Sequence, residues 1–366
     1  MKYSLYLWLG ILFLALAACE KDEDPEEVIP PTDNSVQMDL DALPYDNLSE
    51  YKFFIGDMKE LEPNDRVLYY EPITPLFSDY AHKKRFIWMP VGTQANYSSD
   101  GQILDFPDGT VMVKVFYYDH VEPDDSRRIV ETRLLYKKGG LWEFAEYVWN
   151  DEQTEAIFDP VGSYTDISFT DDNGVARDIQ YRVPSMDGGE CLTCHKKNSL
   201  PIPIGPKPQN LNMSMDYGNG MINQLEKWAD MGYLDPSYPA DIQTVVDWTD
   251  PSESVVDRVR AYIDMNCAHC HAEGSHCDYR PMRFAYSETE TDENLGICVS
   301  PDEVIPGQEQ LLYIIARGNT ARSMLSYRIN ATDEAVRMPL LGRSIVHDEA
   351  VALIDSWIES LDPECN

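Results

Sequence analysis

From about Asp39 to Pro184 the apolar positions fall into short, β-branched and aromatic runs. Thr110 to Tyr118 has the length and composition of a strand. Arg127–Tyr136 and Leu141–Trp149 flank Gly139-Gly140, and Ile167–Thr170 and Asp178–Val183 flank Asn173-Gly174. Both patterns predict β-hairpins. Several strands at this spacing predict a β-sandwich. After Glu190 the rhythm changes. Prolines crowd between Pro201 and Pro208, and apolar residues then recur at helical spacing. Helices are predicted over 220–231 (Ile222, Leu225, Trp228 and Ala229 on one face), over 254–265 and over 347–361. Pro251 with Ser252 or Ser254 marks the start of the second. The fold class expected is α+β: a β-rich domain over 39–190, a first motif-bearing segment over 191–250, and a mostly helical domain over 251–366.

The N-terminus has a different pattern. Lys2 precedes an apolar run from Tyr3 to Leu16, shorter than the ~20 residues that span a bilayer. Leu16-Ala17-Ala18-Cys19 follows, which predicts a secretory signal over 1–18. Its form resembles a bacterial lipobox, so Cys19 is expected to carry lipid. An ordinary signal peptide or an uncleaved anchor is the alternative. The acidic stretch from Glu20 to Glu27 opens a tether over 19–38, since such a run cannot enter a core.

Composition narrows the choice further. The 366 residues carry 64 acidic and 29 basic side chains, a formal charge of −35. This argues against nucleic acid as a partner, because a phosphate-tracking surface needs clustered Lys and Arg. It favours a basic protein partner through electrostatic steering.

Chemistry is concentrated in a repeated pentapeptide. Cys191-Leu-Thr-Cys194-His195 and Cys267-Ala-His-Cys270-His271 are both C-x-x-C-H, the attachment signature of c-type haem. Two thiols three residues apart can bond two vinyl groups of one porphyrin, and the adjacent His can bind the iron. Zinc sites or local disulfides would use the cysteines but would not require His after the second Cys twice. The expected cofactors are two covalently bound haem c groups, with His195 and His271 as iron ligands.

The second motif has a helix running into Cys267 and another near the C-terminus, an arrangement similar to a cytochrome c domain. In that family a Met-Pro before the last helix supplies the sixth ligand, which implies Met338. Thioether opposite imidazole raises the potential and closes the iron. For the first motif the opposite ligand is open: Met213, Met215 and His82 are candidates, with His120, Met186 and Met221 behind them, and an open iron is a further option. His269 is expected at the surface. Of the eight cysteines, one lipidated and four haem-bound leave Cys277, Cys298 and Cys365. In an oxidising compartment a Cys277–Cys298 disulfide is expected. It would close a loop of about 20 residues, worth on the order of 3 kcal/mol.

Several segments carry a wider resemblance: Pro75-Leu-Phe-Ser-Asp-Tyr-Ala81, Lys84-Arg-Phe86, Phe106-Pro-Asp-Gly-Thr110, Pro203-Ile-Gly-Pro206, Leu211-Asn212 and Met338-Pro-Leu-Leu-Gly-Arg343. With the two haem motifs they resemble a family of bacterial di-haem c-type cytochromes, here a lipoprotein of Bacteroidetes type. The resemblance implies single-electron transfer between redox proteins at the outer membrane, on its periplasmic or cell-surface face. The alternative is a di-haem enzyme, peroxidase-like, with an open catalytic iron at the first motif.

Overall fold

The computed structural model describes residues 35–365. The signal segment, Cys19 and most of the acidic tether lie outside those residues. Eight strands form one sheet: β1 (Leu68–Tyr70), β2 (His82–Trp88), β3 (Val111–Val121), β4 (Ser126–Lys138), β5 (Leu141–Trp149), β6 (Ala156–Phe158), β7 (Tyr164–Thr170) and β8 (Ala176–Arg182). All pairings are antiparallel, in the order β1-β2-β3-β4-β5-β6. The β7–β8 hairpin joins the far end of β3 through Val121 and Phe169. The two turns expected at Gly139-Gly140 and Asn173-Gly174 connect β4 to β5 and β7 to β8. Gly139 and Gly140 both have positive φ, which the tight β4–β5 turn requires.

In place of the expected sandwich of two full sheets, the region has this eight-stranded sheet and a two-stranded ribbon, Phe54–Ile55 with Glu62–Pro63. Side chains alternate across its strands. One face carries Phe86, Val113, Leu134 and Tyr147 against Leu48 and Phe53 of the preceding segment. The other carries Ile87, Met112 and Trp142 against Leu211, Leu225 and Trp228. Period-two alternation shows which residues are buried, but not whether strands or helices cover them.

Beyond the sheet come α1 (Cys191–Cys194), α2 (Gln224–Asp230), α3 (Val255–Asn266), α4 (Met324–Asn330) and α5 (Asp348–Glu359). Helix α2 is shorter than the predicted 220–231. Asn223 caps it by accepting from Leu225 N, and Met221–Asn223 instead pairs with Ser214–Asp216. Ser254 caps α3 as the sequence suggests, accepting from Asp257 N at 3.1 Å. Helices α3 and α5 pack through Val259, Ile263, Ile354, Trp357 and Ile358, all almost fully buried. Residues from Ser35 onward form one compact unit. Among the described residues, no helix is long and apolar enough to cross a membrane.

The Cys277–Cys298 disulfide is also corrected. Cys298 is bonded to Cys365, 67 residues on, while Cys277 is a buried free thiol. Packing of α5 on α3 decides the partner. It brings the chain end beside the 315–318 segment, where Gly318 N donates to Ile358 O and Arg317 N to Cys365 Sγ.

Candidate cofactor site

Both C-x-x-C-H segments make the same single turn. His195 N donates to Cys191 O at 2.9 Å, and His271 N donates to Cys267 O at 3.0 Å. The first turn is α1 itself. The second continues directly from α3, whose last residue is Asn266. Each imidazole also meets a phenylalanine ring edge-on with centroids 5.3 Å apart, His195 with Phe144 of β5 and His271 with Phe284.

The two turns touch. Cys270 Sγ donates to Thr193 O at 3.4 Å, and Asn198 N donates to Gly274 O at 2.8 Å. Both motifs line one cavity of about 540 Å³, a size suited to a cofactor. Its walls come from the cavity-facing side of the sheet, from the 76–79 segment, and from α4, α5 and the 337–344 loop.

His195 is oriented by its backbone surroundings. Its Nδ1 lies 2.9 Å from Ile202 O; a carbonyl only accepts, so Nδ1 carries the proton and Nε2 has its lone pair free. Burial lowers the pKa of both His195 and His271 to about 4, which keeps the rings in the neutral, ligating form. His271 Nδ1 is buried with no hydrogen-bond partner. Burial likewise pushes the thiols of Cys191 and Cys267 up to about 12. Cys194 goes the other way, chiefly through its hydrogen bond with Cys270.

Met338 lines the cavity on a loop held from behind. Arg343, 5 % exposed, donates to Met338 O and Ala331 O. Asp79 then accepts from Ser344 N at 2.7 Å, Ser344 Oγ at 2.8 Å and Ile345 N at 3.0 Å. The 75–81 segment thus holds, through Asp79, the two residues that directly follow 338–343. A third contact hub is Asp264 of α3. It accepts from Lys207 Nζ and Tyr286 N and ties the proline-rich segment to the helix.

The candidates opposite His195 fall elsewhere. His82 is on the sheet face away from Arg85, stacked on Tyr117 and paired with Asp172. Met215 lies in the 214–216 ribbon, and Met213 O accepts from Gln224 N. None of the three lines the cavity, nor does His120, which is exposed beside Asp125. Strand alternation and a local ribbon turn these side chains away. His269, expected in solvent, lines the cavity instead and lies within 4.8 Å of Cys194 and Cys270. Sequence reading also missed Arg85, Met112, Lys114 and Glu146 in the cavity wall. The signal was present in Lys114, a lone charge within a run of apolar strand residues. No family model, curated protein or solved structure matches the chain.

Proposed function

We propose that the protein is an exported, lipid-anchored di-haem c-type cytochrome that passes single electrons between redox proteins. The observation that carries this reading is the pair of Cys-x-x-Cys-His turns, alike in geometry, set side by side in one cavity wall. Cys191 with Cys194, and Cys267 with Cys270, would each form two thioethers. In each thioether the sulfur would bond one vinyl carbon and the thiol proton would pass to the other. Haem so held supplies an iron that changes charge by one electron. The chain's own part is ligation, orientation and exclusion of water. Ile202 O fixes the His195 tautomer so that Nε2 is the ligand atom. His271 and Met338 serve the second site, with Met338 positioned through Arg343. The packing of α3 on α5 beside the second motif supports a cytochrome c region there. Contact between the motifs would bring the two sites close enough for rapid exchange. The acidic chain favours a basic partner, with association slowing as salt rises.

One observation favours a second reading. Cys194, His269 and Cys270 could supply three of four ligands to zinc. That reading leaves Cys191, Cys267, His195 and His271 without a role. A pyridine haemochrome assay of the exported protein should count two haems per chain; zinc with no haem would overturn the proposal. Carbon monoxide added to the ferrous protein separates relay from enzyme: an unchanged Soret band supports transfer, and a shifted one supports an open catalytic iron.

A further inference from the structure

A row of charge crosses the cavity side of the sheet. Arg85 of β2 stands opposite Lys114 of β3, Lys114 opposite Arg133 of β4, and Arg133 opposite Glu146 of β5. All four line the cavity. Like charges directly opposite one another destabilise a sheet, so three adjacent cations need a reason. Among the described residues, only Arg133 of the three has its own counter-charge, in Glu131 at 2.7 Å and Glu146 at 3.8 Å. Among the described residues, neither Arg85 nor Lys114 has a carboxylate within ion-pair distance. Arg85 is 7 % exposed and its Nη2 has no partner. Lys114 Nζ lies over the Phe116 ring, 4.9 Å from its centroid. Burial pushes both groups towards deprotonation, and at Lys114 the neighbouring Arg85, Lys83 and Arg133 add to it. A buried cation in this state is costly unless an anion joins it.

The row also has a direction. Its acidic end is beside the first motif, with Cys191 Sγ 3.8 Å from Glu146 Oε1. Its unpaired end is three strands away, about 14 Å at the usual spacing. In a haem the vinyl edge and the propionate edge are on opposite sides of the ring. A ring bonded at the Cys191 end therefore presents its carboxylates towards the unpaired end. We propose that Arg85 and Lys114 form the receptor for the propionate carboxylates of the first haem. This rests on the di-haem reading and deepens it: the β-sheet is one wall of a haem site. Arg85 offers a planar fork to a carboxylate, and Lys114 a point charge.

The test uses the full-length exported holoprotein and the double variant Arg85→Gln, Lys114→Gln. Two haems per chain are first confirmed by pyridine haemochrome, and failure there counts against the di-haem reading alone. With both haems present, one of the two midpoint potentials should fall, because the ferric state loses a nearby positive charge. The propionate bending bands of the resonance Raman spectrum should shift with it. Unchanged bands, or equal movement of both potentials, would overturn the proposal. Should the double variant not accumulate, Arg85→Lys and Lys114→Arg keep the charge but move the donors. Shifted bands then support the receptor and unshifted bands remove it. Lys84→Gln, on the same strand but the other face, should leave bands and potentials as they were.

Discussion

The two Cys-x-x-Cys-His turns are alike within themselves and differ in what surrounds them. Each closes the same His-to-Cys hydrogen bond, and each imidazole meets a phenylalanine at the same separation. The first is one isolated turn laid against a sheet, beside Glu146 and a row of cations. The second extends a helix of 12 residues and shares an apolar cluster with Ile314, Leu325, Ile329 and Ile354, while Arg280, Arg283 and Arg328 act on His271. A five-residue signature thus specifies a local turn, while its scaffold sets polarity and charge. On the di-haem reading the two irons should differ in potential, because wall charge and axial ligation both tune it.

The strongest challenge to this contrast is to loosen the helical side alone. The Cys298–Cys365 bond closes a loop of 67 residues that includes Met338, α4 and α5. In the chain-entropy model such a loop contributes about 4 kcal/mol. Cys298→Ser should lower stability by about that amount in urea unfolding of the holoprotein. If the sheet side is supported independently, the second site should be lost at lower urea than the first. Simultaneous loss of both would show that the two surroundings unfold as one.

Asp79 joins the two sides, so removing it should produce the next effect. Its carboxylate accepts three hydrogen bonds from Ser344 and Ile345 at 5 % exposure. Asp79→Ala leaves buried donors without partners, a loss of about 3 kcal/mol. The expected outcome is a lower melting temperature and, on the di-haem reading, a weakened methionine–iron charge-transfer band, since the loop after Met338 is released. A normal band in a destabilised variant would confine Asp79 to folding.

His347 lies at the same junction. It stacks on Phe77 at 4.0 Å, accepts or donates with Tyr262 Oη at 2.9 Å, and has Trp248 and Tyr80 at its edges. Burial first, then Lys83, Arg177 and Arg343, lower its pKa to about 3. The unfolded chain has the ordinary value of 6.5 and therefore takes up the proton first as pH falls. Stability from the neutral ring is complete above pH ~6.5 and is lost between there and pH ~3, at up to ~1.4 kcal/mol per unit. By pH 5 the wild type should lose up to about 2 kcal/mol more than His347→Gln, read from urea midpoints. Equal losses would place the acid sensitivity elsewhere.

The same contrast explains what could be read from sequence. Strands β3 to β5, β7 and β8, and helices α3 and α5, follow local rules of alternation, turn chemistry and capping, and their boundaries nearly match expectation. The cysteine and histidine spacing likewise marks both turns, because each is closed within five residues. What covers a face is not local. The eight-stranded sheet, the charge row on β2 to β5, and the placing of His82, Met213 and Met215 outside the cavity lining all depend on strands brought together across the chain. The disulfide failed for a related reason. The shorter Cys277–Cys298 loop is entropically easier to close, but the buried α3–α5 contact delivers Cys365 instead.

The smallest predicted effect isolates the difference in local support. Ser254 Oγ accepts from Asp257 N and donates to Asp257 Oδ2, satisfying one orphan amide at the start of the helix that leads into Cys267. Ser254→Ala should cost about 1 kcal/mol, seen as a small fall in the urea midpoint. At the corresponding place before the first motif, Glu190 makes no side-chain cap. Its carboxylate accepts from Ser185 N at 2.8 Å and pairs with Arg182, so it fastens the turn to the sheet instead. Glu190→Gln should therefore leave helix content unchanged and weaken only that attachment. Fraying measured by amide exchange should appear in the first turn of α3 for Ser254→Ala, and around Ser185 for Glu190→Gln. Exchange spreading through both motifs from either change would mean that their shared contact, Asn198 N to Gly274 O, outweighs the separate scaffolds.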